Sequence, residues 1–214
     1  MSSFSAVLLA AGESRRMGAA NKLLLRLDGE LLAARTMRTL ARCDPDDLVV
    51  VLGHEAGAVR AALAPAAAEC GARFVENLHY RDGQMTSVNC GVRALHRAVD
   101  GIVVCPADLP LLESGDVTML LAAFARLGRA SILVPTFESR RGNPIVMAYP
   151  HREAIVAGHN LGCRHLIERH PEAVATLAMR DAHCVTDLDT PDDYAALAAR
   201  FAHAGAAPAA ERAA

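Results

Sequence analysis

Short, continuous apolar runs alternate with longer segments in which apolar residues recur every three or four positions. The continuous runs are Ser5 to Ala10, Leu48 to Leu52, Ile102 to Cys105 and Ser131 to Pro135, with a shorter one at Arg73 to Glu76. Runs without an exposed alternate position mark strands covered on both faces. The segments between them predict helices over Leu31 to Cys43, Glu55 to Ala67, Gln84 to Ala98 and Gly115 to Arg126. Strands alternating with helices of this length predict a parallel sheet held between helical layers. After Pro135 the rhythm shortens. Ile145 to Ala148, Ala175 to Met179 and His183 to Val185 are expected as short strands of an antiparallel addition. A last helix is predicted from Pro191, with Thr190 as its N-cap and proline at its first position. The expected organisation is a single domain over residues 1–203, followed by a small, polar tail over Ala204 to Ala214 that frays.

In an open sheet of this kind ligands bind beyond the carboxyl ends of the strands. The informative loops therefore follow Ala10, Leu52, Glu76 and Cys105. A net charge of -2 supplies no basic field for nucleic acid or an anionic membrane, so neither is an expected partner. The apolar run Ala6 to Ala11 is too short to span a bilayer and lacks a basic leader, which favours a first strand in a cytoplasmic protein. Cys43, Cys70, Cys90, Cys105, Cys163 and Cys184 form no CxxC pair and are expected as reduced thiols.

The first loop reads Leu9-Ala10-Ala11-Gly12-Glu13-Ser14-Arg15-Arg16-Met17-Gly18, with Lys22 beyond it. Gly12 permits a sharp turn and close ligand approach, and successive N–H groups in such a turn make a concave anion site. Arg15, Arg16 and Lys22 place cations beside it, as a triphosphate requires. Neither a Walker A loop nor a GxGxxG fingerprint fits this spacing. A second candidate lies in Pro106-Ala107-Asp108-Leu109-Pro110. An aspartate at a strand tip between two prolines is rigidly placed, and magnesium takes one or two carboxylates along with phosphate oxygens and waters. The plain reading of Asp108 is a turn residue, and that of Arg15 and Arg16 is a solvated surface. In Asp82-Gly83-Gln84-Met85-Thr86-Ser87, Gln84 offers both a donor and an acceptor and Ser87 a hydroxyl; together they suit a base or ribose edge, or simply cap a helix.

Together these strings resemble the MobA-like NTP transferase superfamily. The first loop is similar to its LxxGxSxRMGxxK signature, with Ala19, Ala20 and Asn21 before Lys22 where two residues are usual. The segment Pro106 to Pro110 resembles its PxDxP motif, whose aspartate binds the metal. Thr186-Asp187-Leu188-Asp189-Thr190-Pro191-Asp192-Asp193-Tyr194 resembles its DIDTPEDY stretch, which implies Asp189 as a second metal ligand, with Asp187 in reserve. The resemblance extends the nucleotide site to Leu9, Ala10, Ala11, Gly12, Ser14, Gly18, Lys22, Gln84 and Ser87. It places Arg141, Gly142, Asn143 and Pro144, similar to an RGNPV stretch, near the acceptor. The Ala10-Ala11-Gly12 form, Gln84 to Ser87 and the DLDTPDDY close most resemble the molybdenum cofactor cytidylyltransferase branch.

What the resemblance implies is a three-layer, Rossmann-like α/β nucleotidyltransferase (GT-A-like) fold, mostly parallel with a small antiparallel addition. The implied activity transfers CMP from CTP to the phosphate of a molybdopterin cofactor, with Arg15, Arg16, Lys22 and Asp108 as catalytic groups. Mg²⁺, with Mn²⁺ as substitute, is the implied cofactor, and a recipient molybdoenzyme or its chaperone an implied partner. GTP or another NTP, and a sugar or polyol phosphate such as methylerythritol phosphate, remain open as alternative substrates. An NAD(P)-dependent oxidoreductase and a non-catalytic nucleotide-binding protein are the alternatives of another class.

Overall fold

A computed structural model of the protein describes residues 3–18, 20–128, 131–158 and 162–206. In chain order it contains β1 (Phe4–Ala10), β2 (Arg26–Leu27), β3 (Glu30–Leu31), α1 (Leu32–Ala41), β4 (Asp47–Leu52), α2 (Ala56–Glu69), β5 (Arg73–Glu76) and α3 (Gln84–Ala94). These are followed by β6 (Gly101–Pro106), α4 (Ser114–Phe124), β7 (Ile132–Phe137), β8 (Arg140–Arg141), β9 (Ile145–Ala148), α5 (His151–Ala157), α6 (Cys163–Arg169), β10 (Val174–Ala178) and α7 (Pro191–Ala206).

The main sheet runs in the order β10-β7-β9-β6-β1-β4-β5, with β8 paired to β7. Strand β1 is central because it is apolar on both faces. Ala6, Leu8 and Ala10 pack with Met37 of α1, Leu63 of α2 and Leu120 of α4. Val7 and Leu9 pack with Val88 and Val92 of α3, Ile155 of α5 and Leu166 of α6 on the other face. Burying each such large side chain stabilises the fold by roughly 1.5–3 kcal/mol. Gly91 lets α3 lie close on the sheet, since a β-carbon there would come within 2.7 Å of Val51 Cγ2.

The chain reverses its direction of sheet growth at β1. It proceeds from β1 to β4 and β5 on one side, then returns through α3 to β6 on the other. The carboxyl ends of β1 and β6, with Leu9 opposite Pro106, form the switch point where such sheets open a crevice.

Three expectations are corrected. Strand β10 pairs parallel with β7, so the antiparallel part is β8 and β9 alone. The segment expected as a strand at His183 to Val185 is a 3-10 turn over Ala182–Val185, anchored by Asp181, whose side chain accepts from the His183 amide. Helices α5 and α6 and the β2–β3 hairpin occupy segments for which no element was expected, because each is too short to show a period. Helix α7 continues to Ala206, past the expected boundary, while 207–214 lie outside the described residues. So do Ala19 and His159. The Thr190 cap is present: its Oγ1 accepts from the Asp193 amide at 3.2 Å, and the Asp193 carboxylate accepts from the Thr190 amide at 2.8 Å. Among the described residues no helix is long and apolar enough to cross a membrane.

Candidate active site

The loop after β1 is shaped before any ligand is considered. Ser14 adopts a left-handed conformation (φ 52°), and its hydroxyl accepts from the Lys22 amide at 3.2 Å, tying the loop's two ends together. Asn21 caps the 3-10 turn at Lys22–Leu24 by accepting from the Leu23 amide, and it donates to Glu55 at 3.0 Å. Met17 is pinned in a small cluster with Leu32, Leu188 and Leu197. These contacts fix the direction in which Lys22 leaves the backbone.

Lys22 Nζ donates to Asp108 Oδ2 at 2.5 Å and to Asp189 Oδ1 at 2.8 Å. Arg16 donates to the other oxygen of Asp189 at 2.6 Å. Three parts of the chain, separated by up to 173 residues, thus meet at one cationic point. Local bonds hold the carboxylates in place. The Leu188 amide donates to the Asp108 carbonyl at 3.0 Å, Thr36 of α1 donates to the Ala107 carbonyl at 3.2 Å, and the Asp193 carboxylate accepts from the Asp189 amide at 3.1 Å. Burial disfavours the Lys22 charge, but Asp108 first and Asp189 next outweigh it and hold the ammonium's pKa above the ordinary lysine value. Burial likewise opposes the Asp189 charge, and Lys22, aided by Asp187 and Arg16, overcomes it and holds this carboxyl below the ordinary range. Two carboxylates within reach of one shared cation, open to a cavity, fit the donor set of a hard divalent ion with room left for phosphate oxygens.

The cavity above this cluster has a volume of about 330 Å³. Leu9, Ala11, Gly12, Ser14, Arg15, Arg16 and Lys22 line it from the first loop. Gln84 and Ser87 line it from α3, and Asp108 and Asp189 close its floor. The expected Ala10 and Gly18 do not line it: Ala10 is fully buried in the core, and Gly18 ends the 3-10 turn at Arg15–Met17. Asp187 is exposed and also lies outside the lining. Arg15 is turned toward Glu13, which accepts from it at 2.6 Å.

Glu13, Leu23, Tyr80 and Pro106 also line the cavity, though none of them was expected as a site residue. Gly53, directly after β4, packs against two of the lining residues. A β-carbon there would lie 2.7 Å from Tyr80 Cβ and 2.8 Å from Ala11 Cβ, and the adjacent His54 amide donates to the Ala11 carbonyl. The glycine therefore permits the loops after β1 and β4 to touch.

A second cavity, of about 510 Å³, adjoins the first. Its walls are largely apolar, from Met85, Val88, Val104, Val134, Ile145 and Ile167. Gln84, Arg141, Asn143, Arg164, His165 and Glu168 supply its polar groups, with Arg164 donating to Glu168 at 3.0 Å, and Gly142 lines it as well. Pro144 is buried beneath and does not line it. Cys163 in its wall is a buried thiol whose pKa is pushed up to about 12 by burial, which leaves it a packing group and not a nucleophile. All six cysteines are free. Gly142 lies against the Cys184 backbone, and the Asn143 amide donates to the Cys184 carbonyl at 2.8 Å, so the turn before Asp187 supports this cavity too.

A further group, Asp116, Asp181 and His183, has metal-ligating atoms within 4.8 Å of one another. It lies outside both cavities, and one Asp116 oxygen already accepts from the Glu113 amide in the cap of α4.

The chain is similar to several known proteins. It is 36% identical to the bifunctional protein GlmU of Streptomyces coelicolor over 126 residues, 58% of this chain and 26% of that one. It thus spans about a quarter of the length of that relative. It is 32% identical to nicotine blue oxidoreductase of Paenarthrobacter nicotinovorans over 193 residues, covering 86% of this chain and 91% of that protein. The crystal structure of Rv0371c from Mycobacterium tuberculosis H37Rv superposes with a TM-score of 0.75 at 27% identity, over 92% of this chain and 98% of that one. A structure of Rv0371c in complex with manganese matches with a TM-score of 0.71 at 24% identity, over 92% of this chain and 98% of that one. Residues 6–174, which carry the whole lining of the second cavity and all of the first except Asp189, match the MobA-like NTP transferase domain, and the chain belongs to that family of nucleotidyltransferases.

Proposed function

We propose that the protein is a divalent-metal-dependent cytidylyltransferase that moves CMP from CTP to the phosphate of a molybdopterin-type cofactor and releases pyrophosphate. The observation that carries this reading is the pair of adjoining cavities, one polar and lined by the phosphate loop, the other apolar-walled with arginines at its rim. A two-substrate transfer needs such a division. The triphosphate occupies the first cavity and the acceptor's flat body the second. The Ala10-Ala11-Gly12 loop supports CTP over GTP.

Asp108 and Asp189 would hold the divalent metal, Mg²⁺ or Mn²⁺, which when bound would supply charge neutralisation for the triphosphate. Lys22, now shared by both carboxylates, turns one or more of its N–H bonds to the triphosphate. Gly12 brings backbone N–H groups against the phosphates, and Arg15 and Arg16 exchange Glu13 and Asp189 for the anionic ligand. Ser87 faces the base or ribose. Arg141 binds the acceptor phosphate, and that phosphate, already ionised, needs no general base.

The test is pyrophosphate release from each NTP in the presence of Mg²⁺ and molybdopterin cofactor. Turnover with CTP is expected; turnover with GTP alone overturns the base assignment. A redox reading has one specific support, the nearly full-length similarity to a protein named nicotine blue oxidoreductase. Replacing Asp108 with Asn separates the two, since it abolishes metal-dependent transfer and spares a redox activity.

A further inference from the structure

The geometry points to Gln84 as a catalytic residue at the boundary between the two substrates, and not as a reader of base or ribose; the inference rests on the transferase reading above. Leu9, Gln84 and Pro106 line both cavities. Leu9 and Pro106 are register partners at the carboxyl ends of β1 and β6, so the partition stands on the switch point of the sheet. Gln84, at the first position of α3, joins them in lining both cavities. Whatever bond forms between the two ligands must form at this partition.

Of these residues, Gln84 alone has a hydrogen-bonding side chain. Leu9 presents a hydrocarbon, and Pro106 has neither a backbone N–H nor a polar side chain. The Gln84 side chain is exposed, so it is free to meet a ligand. A residue that reads a base or ribose needs only the first cavity, as Ser87 illustrates: it lines the first and not the second. Gln84 also follows Gly83, whose φ of 112° sets the chain's entry into α3. The neighbouring Thr86 hydroxyl donates to the Gly83 carbonyl at 2.9 Å and helps fix this entry.

In the step itself an acceptor phosphate oxygen bonds to the α-phosphorus. The bond from that phosphorus to the α–β bridging oxygen breaks, and pyrophosphate leaves with the electron pair. No proton moves in this exchange. Two anionic groups must nevertheless approach each other, and an amide N–H at the boundary donates to an oxygen of the transferring phosphoryl group as they do. Glutamine is suited to this, because it brings a donor without a charge that would bind one phosphate permanently.

The experiment compares Gln84→Met, similar in volume but without a donor, and Gln84→Glu with the natural protein. The assay contains CTP, Mg²⁺ and molybdopterin cofactor, with CTP affinity measured separately by calorimetry. Loss of a hydrogen bond to a charged group predicts a fall in kcat of about 10- to 100-fold for the Met variant. The Glu variant falls further, because its carboxylate faces two phosphates. CTP affinity and both KM values change by less than about threefold, the pattern of an interaction made in the transition state. Full kcat in the Met variant, or a loss confined to the KM for CTP, overturns the assignment while leaving the transferase reading intact. Absence of turnover in the natural protein with every NTP overturns both.

Discussion

The two cavities share a wall and differ in what holds them together. In the first, charges already satisfy one another: Lys22 lies between Asp108 and Asp189, Arg16 on Asp189, Arg15 on Glu13. In the second, apolar side chains from α3, α6 and the sheet form the walls, with arginines at the edge. A preorganised charge cluster suits chemistry common to many substrates. An apolar recess bordered by short elements suits a particular acceptor. The contrast predicts that damage to the first cavity removes turnover, while damage to the second changes which acceptor is used and at what concentration.

The sharpest way to break that contrast is Asp108→Asn. Its carboxylate faces Lys22 at 2.5 Å and belongs to the proposed metal pair. A fall in kcat of at least about 10³-fold is expected, with the metal dependence of activity weakened. Activity near that of the natural protein would remove the metal from the proposed site.

Lys22→Met comes next, with a fall in kcat of about 10²-fold. It also leaves the Asp108 and Asp189 carboxylates without their shared cation, at a cost of about 1–3 kcal/mol in unfolding free energy. The pH dependence of that cost has a definite sign. The folded pKa of Asp189 lies below its unfolded value, so its contribution is complete above about pH 4 and is lost as pH falls through the folded value. The folded pKa of Lys22 lies above its unfolded value, so its contribution is complete below about pH 10 and is lost as pH rises through the folded value. Denaturant titrations should therefore show a constant gap between natural protein and variant over the neutral range, narrowing at both extremes. A gap that widens in acid would mean that the ion pairs do not stabilise the fold.

The first cavity was largely legible in the sequence, and the second only at its turn Arg141-Gly142-Asn143. Gly12, Lys22, Asp108 and Asp189 lie in compact strings whose residue types are dictated by phosphate and metal chemistry, and strings of that kind survive without knowledge of the fold. The sheet was legible for a related reason: β1, β4, β6 and β7 are buried on both faces and appear as unbroken apolar runs. The second cavity draws on α6, of 7 residues, on the 2-residue strand β8 and on scattered positions of α3. Elements that short carry no period, and their apolar residues look like any surface turn. The parallel pairing of β10 to β7 was hidden because it depends on where α5 and α6 send the chain, not on the strand's own residues.

Arg141→Ala sharpens the comparison from the other side. Arg141 is exposed on β8 and lines the second cavity only. The KM for the acceptor should rise about tenfold, as for loss of one hydrogen bond to a charged group, with CTP affinity unchanged. An equal loss in CTP affinity, measured by calorimetry, would mean that the two cavities bind one ligand between them.

The smallest expected effects come from a matched pair of glycines, Gly53→Ala and Gly162→Ala. Each adds one methyl group where two segments touch. At Gly53 it would meet Tyr80 and Ala11 at the edge of the first cavity, at 2.7 and 2.8 Å. At Gly162 it would come within 2.9 Å of Met85 Cα, where α6 meets α3 at the wall of the second. Neither neighbour is the free end of a flexible side chain, so backbone must shift, at a cost of about 1–3 kcal/mol in each case. The costs in stability are therefore similar, and only the functional readout separates them. Gly53→Ala displaces the first loop and should weaken CTP binding several-fold while sparing acceptor KM. Gly162→Ala pushes α6 away from α3 and should do the reverse. If both variants lose affinity for the same ligand, the partition at Leu9, Gln84 and Pro106 does not divide the substrates, and the two cavities must be treated as one site.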